Sequence, residues 1–250
     1  DYLNLSAAFL ASLGFWAGLP WALKMPLGHL VDLIWKHKAY LVGLGAAVIA
    51  ASLLIMYGLI GHTGFMASIM PVETWFVTSV ILGPVGYVIQ DVVADAMTVE
   101  AVPEQDKNGN DIATDQLKVM HTTMQTLGRF AIIGGTVLVS LANVIMFSDV
   151  DSLDAAARVD LYADIYLYAL IIPVISIAGV VLARLQHSYR NARTQQAHHT
   201  ATSSHQRPEI NWSILLGSLV FVVFSLSVGT SGIGYAQEIV FAGSVGIILF

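Results

Sequence analysis

The chain has 250 residues, 56% of them hydrophobic and 11% charged, with a formal net charge of −6 and a mean hydropathy of +0.71. A soluble domain averages about 25% charged residues, so a water-exposed globule is excluded, and the absence of a basic stripe excludes a nucleic-acid partner. With no cysteine in the chain, disulfides, thiolate metal sites and cysteine nucleophiles are excluded as well.

The apolar residues come in blocks about as long as a bilayer is thick, with the charges gathered between them. The alternation of a transmembrane barrel is missing, so the fold class is an all-α integral membrane protein with the lipid bilayer as its first partner. In chain order the blocks cover about 5–27, 38–60, 71–97, 117–147, 160–184, 212–230 and 236–250. The sequence starts at Asp1 and stops at Phe250 inside an apolar run, which leads us to expect a longer protein. On that expectation, residues 1–184 form an N-terminal transmembrane bundle without its first helix. Residues 185–209 form a polar linker, and residues 210–250 begin a second, truncated bundle. Glycines inside the blocks, among them Gly45, Gly83 and Gly86, let helices approach closely in lipid.

Lys and Arg alternate between the connections. Lys24, Lys36 and Lys38 flank the first, Lys107 and Lys118 lie in the third, and Arg184, Arg190, Arg193 and Arg207 fill the fifth. The second and sixth have none, and the fourth has Arg158 alone against four aspartates. The positive-inside rule then puts the odd connections and the 185–209 linker in the cytoplasm.

The segment after the third block's apolar run reads "IQDVVADAMTVE" from Ile89 to Glu100. Asp91 and Asp95 stand four residues apart, on one helix face that Tyr87 and Thr98 extend. A charged carboxylate in lipid costs at least ~2.5–3.5 kcal/mol, so this face must look into the bundle, a water-filled cavity or the membrane boundary. Two readings stay open for each aspartate: proton or cation chemistry in a cavity, or organisation of the helix end. Arg129, in "TLGRFAIIGG" on the following helix, lies at a depth comparable with Asp91, and an Asp91–Arg129 contact is the expected counter-charge pairing. Snorkelling of Arg129 to headgroups is the alternative. Lys24 either reaches into the same cavity as an anion-binding group or snorkels to the inner interface. Gln90 and Gln125 are further polar groups able to line that cavity.

Three separated blocks resemble the major facilitator superfamily, and within it the folate–biopterin transporter family. The first is Lys24-x-Pro26-x-Gly28-x-x-x-Asp32 followed by Lys36, Lys38 and Tyr40. The second is "QDVVADAMTVE", and the third is "LKVMHTTMQTLGRFAIIGG" with Gln125, Gly128 and Arg129. The resemblance covers about residues 15–185. It implies a major-facilitator-type bundle and a secondary transporter of a small polar or anionic, pterin- or folate-like metabolite, with symport of a proton as one form of coupling. It also implies that Gly28, Asp32, Lys36 and Lys38 form a cytoplasmic latch, although for Lys36 and Lys38 a purely topological role is equally open. The competing reading is a non-transporting subunit of a larger membrane complex that binds lipid or pigment.

Other features point nowhere. His187, His198, His199 and His205 sit in the linker without a supporting frame, so no metal site is expected. "DKNGND" at 106–111 has Gly109 at the wrong position for a calcium loop, and Leu117 where a bidentate acid belongs. No nucleophile set, P-loop or dinucleotide fingerprint is present, so neither an enzyme nor a cofactor is expected.

Overall fold

A computed structural model describes residues 5–18, 20–21, 24–34, 37–106, 109–194, 212–231 and 233–249. Among them the architecture is helical throughout: α1 (Ala7–Gly18), α2 (Lys24–Leu33), α3 (Lys38–Gly61), α4 (Thr63–Ile69), α5 (Val72–Glu100), α6 (Thr114–Met146), α7 (Ala155–Ala169), α8 (Ile171–Thr194), α9 (Trp212–Thr230) and α10 (Ala236–Leu249). Four stretches are long and apolar enough to cross a membrane: Lys38–Gly61, Val72–Glu100, Thr114–Ser152 and Ala155–Gln186, the last combining α7 and α8. The protein is therefore membrane-embedded, as its composition requires.

Besides α4, a short helix in the second connection, and the start of α7 at Ala155 instead of 160, three boundaries depart from the sequence reading, each for a local reason. The block expected over 5–27 is divided into α1 and α2. Gly18 and Pro20 stand at the break, and proline both lacks an N–H and biases the residue before it away from helix. Pro26 is tolerated because it lies in the first turn of α2. The block from 160 is interrupted at Leu170, one turn before Pro173, whose missing N–H leaves the Ala169 carbonyl without its helical donor. Finally, α8 continues to Thr194, past the boundary expected for the linker. Its Arg and Gln residues are good helix formers, and basic side chains suit a helix C-terminus. The rest of the linker, with His198, His199 and His205, lies outside the described residues.

α3 is the hub, packed on α5, α7 and α8, while α1 and α2 lie against α5. The α3–α5 crossing is a glycine contact. A Cβ added at Gly86 would stand 2.6 Å from the Gly45 carbonyl oxygen, and one at Gly45 2.8 Å from that of Gly86. Further along, Ser52 Oγ donates to the Ser79 carbonyl at 2.8 Å and Ser79 Oγ to the Ser52 carbonyl at 2.9 Å. Both serines are buried. In lipid, where two apolar helices gain no hydrophobic energy by meeting, close backbone approach and reciprocal hydrogen bonds of this kind hold them together. Pro84 lies inside α5 without ending it. Ala163 of α7 is buried, and a Cβ at Gly61 of α3 would meet it at 3.4 Å.

α6 behaves differently. It touches α5, yet none of its residues is buried along its whole 33-residue length.

Candidate functional site

The site is built where α2 meets α5. Val31 of α2 and Val88, Val92 and Val93 of α5 form a buried apolar cluster, with Leu27, Leu41, Val42 and Ala96 packed on it. Lys24, Leu27 and Val31 recur at helical spacing on one face of α2, so the cluster that docks the helix also fixes Lys24 beside α5. Lys24 Nζ lies 2.7 Å from Asp91 Oδ2 and 3.0 Å from Asp95 Oδ2. One ammonium thus bridges both carboxylates, and the fully ionised set has one positive charge against two negative. The two acids differ in access: the Asp91 side chain is 18% exposed and that of Asp95 65%. Tyr87 continues the face and stacks obliquely on Trp21, their ring centroids 5.5 Å apart. Thr98 ends it, its hydroxyl donating to the Asp95 carbonyl at 2.6 Å.

The expected Asp91–Arg129 contact is replaced by Asp91–Lys24. Depth along the membrane matched Arg129 to Asp91, but the face of α6 that leans on α5 is the one carrying Leu117, Met120, His121, Met124 and Gly128, which are half-buried. Arg129 and Gln125 lie outside that face, and both are exposed with no side-chain partner among the described residues. Gln90 is not at the Lys24 cluster. Its Nε2 donates to the Val42 carbonyl at 3.1 Å and its Oε1 accepts from Ser176 Oγ at 3.3 Å, so it ties α5 to α3 and α8.

The latch residues part company. Gly28 and Asp32 fall on α2 instead of a loop, and a Cβ at Gly28 would meet nothing within 4 Å. Lys36 lies outside the described residues. Lys38, at the start of α3, pairs with Glu100 at the end of α5. Beside it, the Arg184 guanidinium of α8 sits 5.6 Å from the centre of the Tyr40 ring. These two contacts bind the same ends of α3, α5 and α8. Sequence reading missed the Tyr40–Arg184 pair, since nothing in the chain short of the fold sets residues so far apart in contact.

Residues 104–106 and 109–112 pair with one another. Asp106 N donates to the Asn110 carbonyl and Ile112 N to that of Glu104, with Gly109 at φ 82. Asp106 Oδ1 accepts from Asn110 N, which spends the acid on the pairing itself. An open groove of about 530 Å³ runs along α6 beside Lys118, Thr122, Thr126 and Phe130, and none of its lining residues belongs to the Lys24 cluster. No family model, curated protein or solved structure matches the chain.

Proposed function

We propose that the protein is a multi-pass secondary transporter of the major facilitator type, moving a small polar or anionic metabolite by alternating access. The observation behind this reading is the single lysine shared by two carboxylates on one face of α5, a helix long and apolar enough to cross a membrane. An ionisable residue at membrane depth is a functional site by default, and Asp91 lies about 13 Å along α5 from Glu100 at 1.5 Å per residue. A proton arriving on the exposed Asp95 cancels the cluster's excess negative charge and removes one of the two ionic holds on Lys24. α2 is then tied to α5 through Asp91 alone. Protonation and the α2–α5 contact are coupled in this way, which is what a proton-driven gate needs. The odd connections, with their Lys and Arg, lie on the cytoplasmic side, and so does the Lys38–Glu100 and Tyr40–Arg184 rim. Pterin- or folate-like solutes are the substrate class that the sequence resemblance supplies.

The test is uptake of radiolabelled folate and biopterin into proteoliposomes under an imposed pH gradient. Uptake should follow the gradient and fall about tenfold or more in Asp91→Asn, a barrier change of roughly 1.4 kcal/mol. Gradient-driven uptake indifferent to Asp91→Asn would remove the cluster from the mechanism, and no uptake of either solute would remove the substrate class. A structural subunit of a larger membrane complex is the second reading, and the uncovered α6 is the observation that favours it.

A further inference from the structure

Beyond Thr126 the polar residues of α6 are not scattered, whereas ahead of Leu127 His121, Thr123 and Thr126 fall outside the pattern. Thr122, Gln125, Arg129, Thr136, Ser140 and Asn143 fall within a sector about 60° wide at 100° per residue, and Lys118 shares it. Every residue of that sector between 118 and 146 is polar, while the far side presents Leu127, Phe130, Leu138, Leu141 and Ile145. All of them are exposed. The threonines answer their own needs, Thr122 donating to the Lys118 carbonyl at 2.8 Å and Thr136 to that of Ile132 at 3.0 Å. The side chains of Gln125, Arg129, Ser140 and Asn143 have no partner among the described residues.

Such a face cannot be turned to hydrocarbon. A guanidinium at the helix centre costs at least ~2.5–3.5 kcal/mol, and each unpaired amide adds its own desolvation. A clasp with one neighbouring helix would need a polar group at one or two levels, whereas this stripe runs from Lys118 to Asn143, about 37 Å along the axis. Length of that kind suits water. The stripe also has a sign, because it contains two cations and no carboxylate; Asp115, the single acid of α6, lies in the first turn ahead of it.

We infer that the Lys118–Asn143 stripe of α6 is one wall of a water-filled path through the membrane, and that Arg129 selects anionic solutes along it. The inference rests on the transport reading and narrows its solute class to anions. Arg129 supplies the fixed charge and a fork of donors that matches carboxylate or phosphate, and Gln125 one turn away adds neutral hydrogen bonds.

The chain has no cysteine, so single cysteines can be scanned without a background. Thr122→Cys, Gln125→Cys, Thr136→Cys, Ser140→Cys and Asn143→Cys are compared with Leu127→Cys, Leu138→Cys and Ile145→Cys in membranes. Two membrane-impermeant methanethiosulfonates are used, one with a sulfonate and one with a trimethylammonium group. Stripe positions should react and the far-side positions should not. At Gln125→Cys and Thr136→Cys the sulfonate reagent, corrected for its intrinsic rate, should be favoured about tenfold, the scale of a focused field. Arg129→Gln should abolish that preference and Arg129→Lys should retain it, the lysine variant also guarding against a misfolded glutamine one. Stripe positions as inert as the far side, or stripe cysteines that join in disulfides between copies, would overturn the water path. Equal rates for the two reagents would overturn the anion selection. A reactive, anion-selective stripe without uptake of any anionic solute would sink the transport reading and leave the wall standing.

Discussion

At the scale of single residues, Lys24 matters because of what its absence would leave behind. Removing one partner of a charge cluster strands the other, and the stranded group's desolvation costs more than the pair's net contribution. The exposed Lys24–Asp95 half is worth ~0–1 kcal/mol at most; the weight falls on Asp91, which is mostly covered. Lys24→Gln should therefore lower the yield of monodisperse protein and its melting temperature in detergent. Adding Asp91→Asn to Lys24→Gln should recover much of the loss, because the carboxylate no longer needs a cation. If the double variant melts as low as Lys24→Gln, Lys24 is required for packing and its charge is incidental. The same reasoning explains what sequence alone could not resolve about Asp91. Hydropathy gives depth, and depth paired Asp91 with Arg129. The choice of partner depends on which way each helix is turned, and that is set by Leu27 and Val31 seating α2 on Val88 and Val92.

At the scale of helices, the α3–α5 crossing is the element most sensitive to one added methyl. Gly86→Ala would bring a Cβ within 3 Å of backbone atoms of Gly45 and Ile49 and of the Ile49 side chain. Backbone cannot rotate away, so the helices must separate, at a cost of about 1–3 kcal/mol typical of overpacking. A lowered unfolding midpoint in mild detergent checks this, and Gly28→Ala, which meets open space inside α2, serves as the control expected to hold or raise it, alanine being the better helix former. Legibility followed the same division. The apolar blocks at 71–97, 117–147 and 212–230 became α5, α6 and α9 with ends moved by a few residues, because membrane thickness fixes how long a block must be. Glycine's packing role was readable as a tendency. The breaks at Pro20 and Leu170 were not, since Pro84 shows that proline alone does not end a helix here. The run of α8 to Thr194 was hidden too, because a polar helix has propensity without a hydrophobic period.

At the scale of the molecule, two kinds of contact divide the labour. Ser52–Ser79, Gly45–Gly86 and the Gln90 bridge bind α3, α5 and α8 into one rigid group, and the Lys38–Glu100 and Tyr40–Arg184 contacts close one end of it. α2 joins this group through Leu27 and Val31, seated on three valines of α5, and through the shared Lys24.

α6 stands outside that group, and this gives the membrane itself a say in its geometry. A helix of 33 residues is about 50 Å long at 1.5 Å per residue, whereas the hydrocarbon layer measures about 30 Å. Among the described residues α6 leans on α5 only as far as Gly128, so beyond that point lipid chain length bears on its inclination, through hydrophobic mismatch. In a thin bilayer of 14-carbon chains α6 should lean further than in one of 22-carbon chains, and the spectrum of a fluorophore placed at Leu138→Cys should shift between them. The same probe at Leu54→Cys, on the exposed side of α3, should shift far less. Lipid composition would then act on the protein through one helix, without any lipid being specifically bound.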